Sequence, residues 1–137
     1  MLSGHLRNFA RREKFWTSFV EEFPDVDIFV HTWTDGGQRG DVEWIDVGKN
    51  PDPKNHAVAE SILKPVRMVV ENHDELFDTF SFRQPGVDLY YTNFAQVQTT
   101  KDFTKCIGSQ LYSIKKCFEL TQSTSKTYDV YVRLRGD

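Results

Sequence analysis

The last ten residues of the chain alternate between apolar and polar side chains. Tyr128, Val130, Val132 and Leu134 occupy every second position, and the residues between them are mostly charged. A period of two in aromatic and β-branched residues is typical of a β-strand, whose successive side chains point to opposite faces. The pattern therefore predicts a strand over residues 128–134, followed by arginine, glycine and aspartate at positions 135–137.

Two stretches carry apolar residues at the spacing of an amphipathic helix. Residues 8–23 gather aromatic and aliphatic side chains on one face, and Asn8 stands where it could cap the helix. Residues 99–122 predict a longer helix, in which Thr99 and Asp102 have the spacing of a capping box. The side chains expected to form the buried face of this helix are Phe103, Ile107, Leu111, Ile114 and Phe118.

The rest of the pattern places strands and helices in alternation. Residues 26–33 and 66–71 are compact apolar runs that predict strands, and residues 57–63 predict a short helix between them. Residues 34–55 are rich in turn residues and indicate a surface excursion, with a short strand over 42–47 as one option. Residues 72–93 carry little pattern beyond a helical turn at 74–80. This order favours an α/β, Rossmann-like fold with a mainly parallel sheet and helices on both faces.

The first residues complete this picture. If Met1 and Leu2 end a first central strand, the expected strand order is 3-2-1-4. Residues 3–7 and 133–137 would then face each other across the crevice at the carboxyl ends of the first and fourth strands, where open α/β sheets bind ligands. Polar groups at that position are suited to an anion or a metal. A solvated strand end followed by a glycine turn is the alternative interpretation.

Composition narrows the classes of function. The 137 residues fit a single domain with an adequate core, and a net charge of −3 with a pI near 5.8 disfavours duplex nucleic acid as a partner. The sequence has no apolar run of membrane-spanning length and no secretory leader, so no membrane span and a cytoplasmic location are expected. Cys106 and Cys117 are predicted to be free thiols, because 11 residues of helix separate them by about 16 Å.

Four short motifs follow one another along the chain: LSGHLR at residues 2–7, DIFVHTW at 27–33, YSIKKC at 112–117 and YDVYVRLRGD at 128–137. Together they resemble the amino-terminal part of sugar transferases of the GT-A type, which occur in bacteria and large viruses. The resemblance implies a glycosyltransferase whose sheet half binds a nucleotide-sugar donor, with a divalent metal, Mn²⁺ or Mg²⁺, bridging the diphosphate. For a viral member, the cytoplasm would be that of the host.

The resemblance also assigns residues. The donor-binding residues that it implies are Ser3, Gly4, His5 and Arg7 in the first loop, His31 and Trp33 at the end of the second strand, and Arg135 on the last strand. Asp137 is the implied metal ligand. An acceptor-binding half would follow this aspartate in the family. Residues 1–137 are therefore expected to be one nucleotide-sugar-binding domain, incomplete at its carboxyl end. Whether this domain catalyses sugar transfer without the acceptor-binding half is left open.

The chemistry suits these residue types. Cleavage of a sugar–diphosphate bond leaves negative charge on the diphosphate, which arginine or a carboxylate-held cation stabilises. A glycine lets the backbone approach a phosphate, and Arg7 lies where the next helix begins. The structural alternatives are a turn glycine, a surface arginine, a hydrogen-bonded strand-end His31 and a Trp33 that caps or joins the core. The competing function is a non-catalytic α/β module that binds a nucleotide or a protein partner; neither the donor sugar nor the acceptor can be read from the sequence.

Overall fold

The computed structural model describes residues 1–6, 8–34, 54–73, 75–76 and 98–135, with side chains in the last stretch from residue 108 onward. Within these residues the chain forms β1 (Leu2–Ser3), a short 3-10 helix (Ala10–Arg12), α1 (Glu13–Glu22) and β2 (Phe29–Trp33). There follow α2 (Lys54–Leu63), β3 (Arg67–Glu71), α3 (Gln98–Gln122) and β4 (Leu134–Arg135). The predicted alternation of strands and helices is confirmed in this part of the chain.

The strands form one parallel sheet. Their order is β3-β2-β1-β4, and each neighbouring pair runs in the same direction. In this register Leu2 lies between Val30 and Leu134, and the next residue, Ser3, lies between a β2 residue and Arg135. The predicted 3-2-1-4 order is therefore confirmed, and the two-residue β1 occupies an inner position between β2 and β4.

Helices cover both faces of the sheet, as predicted. On one face, Leu2 and Val30 pack in a single apolar cluster with Trp16 of α1 and with Ala59 and Leu63 of α2. On the other face lies α3, where the Cys117 thiol donates to the carbonyl oxygen of Leu2 at 3.1 Å. Crossovers on opposite faces follow from right-handed connections that leave the central strand in opposite directions.

Two predicted strands are longer than the observed ones. Residues 26–28 precede β2 as irregular chain, where the Asp27 carboxylate accepts hydrogen bonds from Lys126 Nζ at 2.7 Å and Tyr128 Oη at 2.8 Å. These two bonds hold the segment against the stretch before β4. Residues 128–133 do not form a strand with the rest of β4, since β1 offers only two residues to pair with.

The predicted cap of the first helix is wrong. The chain enters α1 through the 3-10 helix, and neither the 3-10 helix nor α1 has a side-chain cap. Asn8 contributes its backbone carbonyl oxygen to the amide of Arg12 at 3.2 Å instead. The amide of Ala10 is satisfied from a distance, by Asn55 Oδ1 of α2 at 2.8 Å. A buried side chain from another helix therefore replaces the local cap.

The buried face of α3 also differs from the predicted one. Leu111 is 62% exposed and Phe118 is 44% exposed, whereas Ile114 is half-buried. The residues that face the sheet are small and mostly polar and recur every four positions: Ser109, Ser113, Cys117 and Thr121. Small side chains let the helix backbone approach the strands closely enough for hydrogen bonds to strand carbonyl groups. Helix α3 begins at Gln98, so Thr99 lies inside it and is not its cap.

Several predictions fall on other parts of the chain. The optional strand at 42–47, most of the 74–80 turn and the side chains of Phe103, Ile107 and Cys106 lie outside the described residues. Cys117 is a buried free thiol, as predicted. Among the residues that the structure describes, no helix combines the length and the hydropathy that crossing a bilayer requires.

Candidate functional site at the carboxyl edge of the sheet

The strand order creates a crevice between the carboxyl ends of β1 and β4. The helices that follow β1 and β2 lie on one face, and α3, which precedes β4, lies on the other. The helical connections therefore change from one face of the sheet to the other between β1 and β4. This position is the topological switch point, at which open α/β sheets bind ligands. The residues at this edge come from segments that are distant in sequence.

Two predicted site residues meet directly across β1 and β4. Ser3 and Arg135 are partners in the parallel register. The Ser3 hydroxyl also accepts a hydrogen bond from Arg133 Nε at 3.0 Å. Leu2 and Leu134 belong to the cluster on the α1 and α2 side, so their neighbours Ser3 and Arg135 face α3, and Arg133 lies on that side through its bond to Ser3. The residue before β4 and the last residue of β4 therefore place two guanidinium groups beside the end of β1.

Gly4 follows β1 with φ of +111°, a conformation that residues with a side chain rarely adopt. A Cβ at this position would meet no atom within 4 Å, so the backbone dihedral and not crowding requires glycine. The Gly4 amide donates to the carbonyl oxygen of His31 at 3.2 Å and to Ser113 Oγ at 3.1 Å. This amide is consequently engaged within the protein and is not directed at the crevice.

His31 is completely buried and is bonded at both ring nitrogens. Its Nδ1 lies 2.6 Å from Ser113 Oγ of α3, and its Nε2 lies 2.8 Å from Glu71 Oε2 at the end of β3. Tyr112 donates its hydroxyl to the other oxygen of Glu71 at 3.3 Å. The histidine that the sequence placed among the donor-binding residues thus connects α3 to a carboxylate at the sheet edge.

Burial determines the charge of this network. Desolvation lowers the pKa of His31 below its ordinary value of 6.5, although the hydrogen bond that His31 donates to Glu71 acts in the opposite direction. Burial also raises the pKa of the Tyr112 hydroxyl, with Glu71 as the second cause. At neutral pH His31 is therefore an uncharged imidazole, and Tyr112 is an uncharged hydrogen-bond donor.

Trp33 forms the centre of a ring cluster at the end of β2. It is 1% exposed, and its ring centroid lies 6.3 Å from that of His5 and 5.1 Å from that of His73. The two histidine rings are themselves 5.8 Å apart, and Tyr112 lies 5.7 Å from the tryptophan. Trp33 is thus a buried support for the half-buried histidines that surround it.

The sequence interpretation brought some of these residues together and missed others. Ser3, Gly4, His5, His31, Trp33 and Arg135 all lie at or directly beneath the carboxyl edge. Glu71, His73, Tyr112 and Ser113 were not among the predicted site residues. Tyr112 and Ser113 belong to one of the motifs of the resemblance, and the four-residue spacing of small polar side chains in α3 was the available signal.

Asp137, the predicted metal ligand, and Arg7, a predicted donor-binding residue, lie outside the described residues. In the part of the chain that the structure describes, no group of three or more histidine, cysteine, aspartate or glutamate side chains is arranged to hold a metal ion.

Comparison of this chain with models of known protein families, with curated proteins and with solved structures found no match.

Proposed function

We propose that the chain is the donor-binding half of a glycosyltransferase and binds a nucleoside diphosphate sugar across the carboxyl edge of its sheet. The observation that carries the proposal is the strand order, which juxtaposes the ends of β1 and β4 at a switch point and pairs Ser3 with Arg135. The resemblance to GT-A sugar transferases supplies the substrate class.

The charges at this edge support an anionic ligand. Arg133, just before β4, and Arg135, within it, lie on the α3 side of the sheet, and Arg133 is oriented by its hydrogen bond to Ser3. Guanidinium groups bind phosphate oxygens through paired, charge-assisted hydrogen bonds. As the bond between sugar and diphosphate breaks, the negative charge that develops on the leaving group would be stabilised by the same arginines.

The divalent metal, Mn²⁺ or Mg²⁺, remains a prediction from the resemblance. Asp137 would hold it through carboxylate oxygens, which are the ligands that both ions prefer. The metal would supply positive charge to the leaving diphosphate. In this proposal the metal and the arginines at positions 133 and 135 bind the same diphosphate, so nucleotide binding is expected to strengthen with Mn²⁺ or Mg²⁺.

Calorimetry with uridine and guanosine diphosphates, with and without Mn²⁺, tests the proposal. Removal of a charged hydrogen bond costs about 1.5 to 3 kcal/mol, so Arg135→Ala should weaken binding roughly 10- to 100-fold. Arg67→Ala is the matched control, because Arg67 is an exposed arginine at the opposite end of the same sheet. Asp137→Ala should abolish the dependence on Mn²⁺. Absence of nucleotide binding, or equal losses in the two arginine variants, would contradict the proposal.

The second candidate function is a module that binds a protein partner. The observation in its favour is the outward face of α3, where Leu111 and Phe118 are exposed and Phe118 contacts Tyr131 with ring centroids 5.4 Å apart. This function becomes the better interpretation if neither nucleotide binds in the calorimetric experiment.

A further inference from the structure

Glu71 is the carboxylate that the buried network brings to the sheet edge. It is the last residue of β3, and 30% of its side chain is exposed. Its two oxygens accept hydrogen bonds from His31 and from Tyr112, so the carboxylate is held from within the protein. A carboxylate has room for about four hydrogen bonds, which leaves acceptor sites on its exposed side.

The direction of each bond in the network follows from the carboxylate. A carboxylate only accepts, so His31 Nε2–H donates to Glu71 and the neutral ring accepts at Nδ1. Ser113 O–H therefore donates to Nδ1 and accepts from the Gly4 amide. Every donor in this series has an acceptor. The position of Glu71 is consequently determined by α3 and by the loop after β1 together.

We propose that Glu71 binds the uncharged half of the nucleotide by accepting hydrogen bonds from its ribose hydroxyl or base N–H groups, and that His31 and Ser113 are its positioning residues. The inference rests on the proposed function and adds the orientation of the ligand. A negative Glu71 repels phosphate, whereas Arg135 attracts it, so the two residues bind opposite ends of the same molecule.

The strand spacing is compatible with this orientation. β3 and β4 are separated by three intervals between neighbouring strands, which amounts to about 14 Å. A nucleoside diphosphate laid across the edge in an extended conformation places its diphosphate at β4 and β1 and its nucleoside at β2 and β3. The half-buried His5 and His73 rings lie beside Trp33 at the end of β2.

Uridine diphosphate contains the nucleoside and the diphosphate, whereas inorganic pyrophosphate contains only the phosphate part. Comparing the affinities for the two ligands therefore tests binding of the nucleoside separately. Glu71→Gln should weaken the binding of uridine diphosphate roughly 10-fold, because a hydrogen bond to a charged acceptor is weakened. The same variant should bind pyrophosphate as tightly as the wild type does, or more tightly. Glu60→Gln, an exposed carboxylate on α2, is the control for loss of one charge and should change neither. The 2′-deoxy nucleotide tests one donor group: it should bind more weakly to the wild type if the ribose 2′-hydroxyl contacts Glu71, and equally well if the 3′-hydroxyl or the base does.

The positioning residues have a separate readout. Ser113→Ala and His31→Gln should weaken the binding of uridine diphosphate and leave the binding of pyrophosphate unchanged. General damage to the fold would weaken the binding of both ligands. Tyr112→Phe keeps the ring and removes one bond to Glu71, so it provides a milder variant with an expected loss of a few fold.

The possible results are distinguishable. If the wild type binds neither ligand, the proposed function fails and this inference fails with it. If uridine diphosphate binds the wild type and Glu71→Gln equally well, or if pyrophosphate loses affinity in parallel, the inference alone is overturned.

Discussion

Removal of the Ser113 hydroxyl should destabilise the protein although it deletes a single atom from a helix. The hydroxyl lies 2.6 Å from His31 Nδ1 and 3.1 Å from the Gly4 amide, and all of Ser113 is buried. In Ser113→Ala, the Gly4 amide keeps the carbonyl oxygen of His31 as an acceptor at 3.2 Å. The imidazole nitrogen, however, loses its Ser113 partner within a fully buried side chain.

The magnitude follows from that unpaired nitrogen. A buried polar group left without a hydrogen bond costs about 1 to 3 kcal/mol. Urea unfolding of a small domain has a slope of about 2 kcal/mol per molar, so the midpoint should fall by about 1 M for a cost in the middle of that range. The free energy of unfolding, extrapolated to water, is the quantity to compare between variants.

Ser123→Ala is the matched control. Ser123 lies just beyond the end of the same helix, is exposed, and donates its hydroxyl to the carbonyl oxygen of Leu120 at 2.7 Å. Exposed substitutions of this kind change stability by about 0.5 kcal/mol or less. Equal midpoints for Ser113→Ala and Ser123→Ala would refute the conclusion that the buried network stabilises the junction of α3 with the sheet.

Three further predictions concern single residues. Burial raises the pKa of Cys117 to about 11, so a disulfide reagent should label this thiol only after unfolding. Labelling of the native and the denatured protein tests this, and labelling of Cys117 in the folded protein would contradict its burial. The pKa of His31 is lowered from 6.5 in the folded chain, so the unfolded chain binds more protons and the free energy of unfolding should decrease as the pH falls below about 6.5. Urea melts at several pH values should show that the free energy of unfolding depends less on pH for His31→Gln than for the wild type. Burial also lowers the pKa of the Met1 amino group, but both proteins contain this group, so its contribution cancels in the comparison. Gly4→Ala should cost about 1 to 3 kcal/mol through its positive φ, whereas D-alanine at position 4 should be tolerated; equal losses would indicate crowding instead.

Periodicity was sufficient for the order of the elements. The apolar run that contains β2 and the alternation before β4 are local signals, and the handedness of crossovers then restricts the sheet to few topologies. The same signals placed the strand ends poorly, and they did not indicate that Asp27 is bound by Lys126 and Tyr128, which are 99 and 101 residues away. Contacts between distant segments leave no local pattern.

Helix α3 shows why the apolar stripe was misleading. The rule that the most apolar face is buried assumes that packing is driven by large side chains. This helix instead packs through Ser113 and Cys117, whose small side chains allow hydrogen bonds to the strands, while Leu111 and Phe118 face outward. Ser113 and Cys117 have hydrogen-bond partners on the sheet, whereas the buried Thr121 hydroxyl donates to the carbonyl oxygen of Phe118 within the helix.

The site could be predicted only in part for a related reason. Glycine after a strand and arginine at a strand end have direct sequence signals. The network that holds Glu71 does not, because its members Ser113 and Glu71 are 82 and 40 residues from His31. A histidine with both nitrogens engaged is recognised only when its partners are seen.

The place at which a nucleotide binds can be measured by following backbone amide resonances during titration with uridine diphosphate. We expect the largest shifts at Ser3, Glu71 and Arg135, which end three different strands at the carboxyl edge, and no shifts at Phe29 or Arg67 at the amino edge. Shifts at the amino edge, or none at the three carboxyl-edge positions under saturating nucleotide, would contradict binding at the switch point of the sheet.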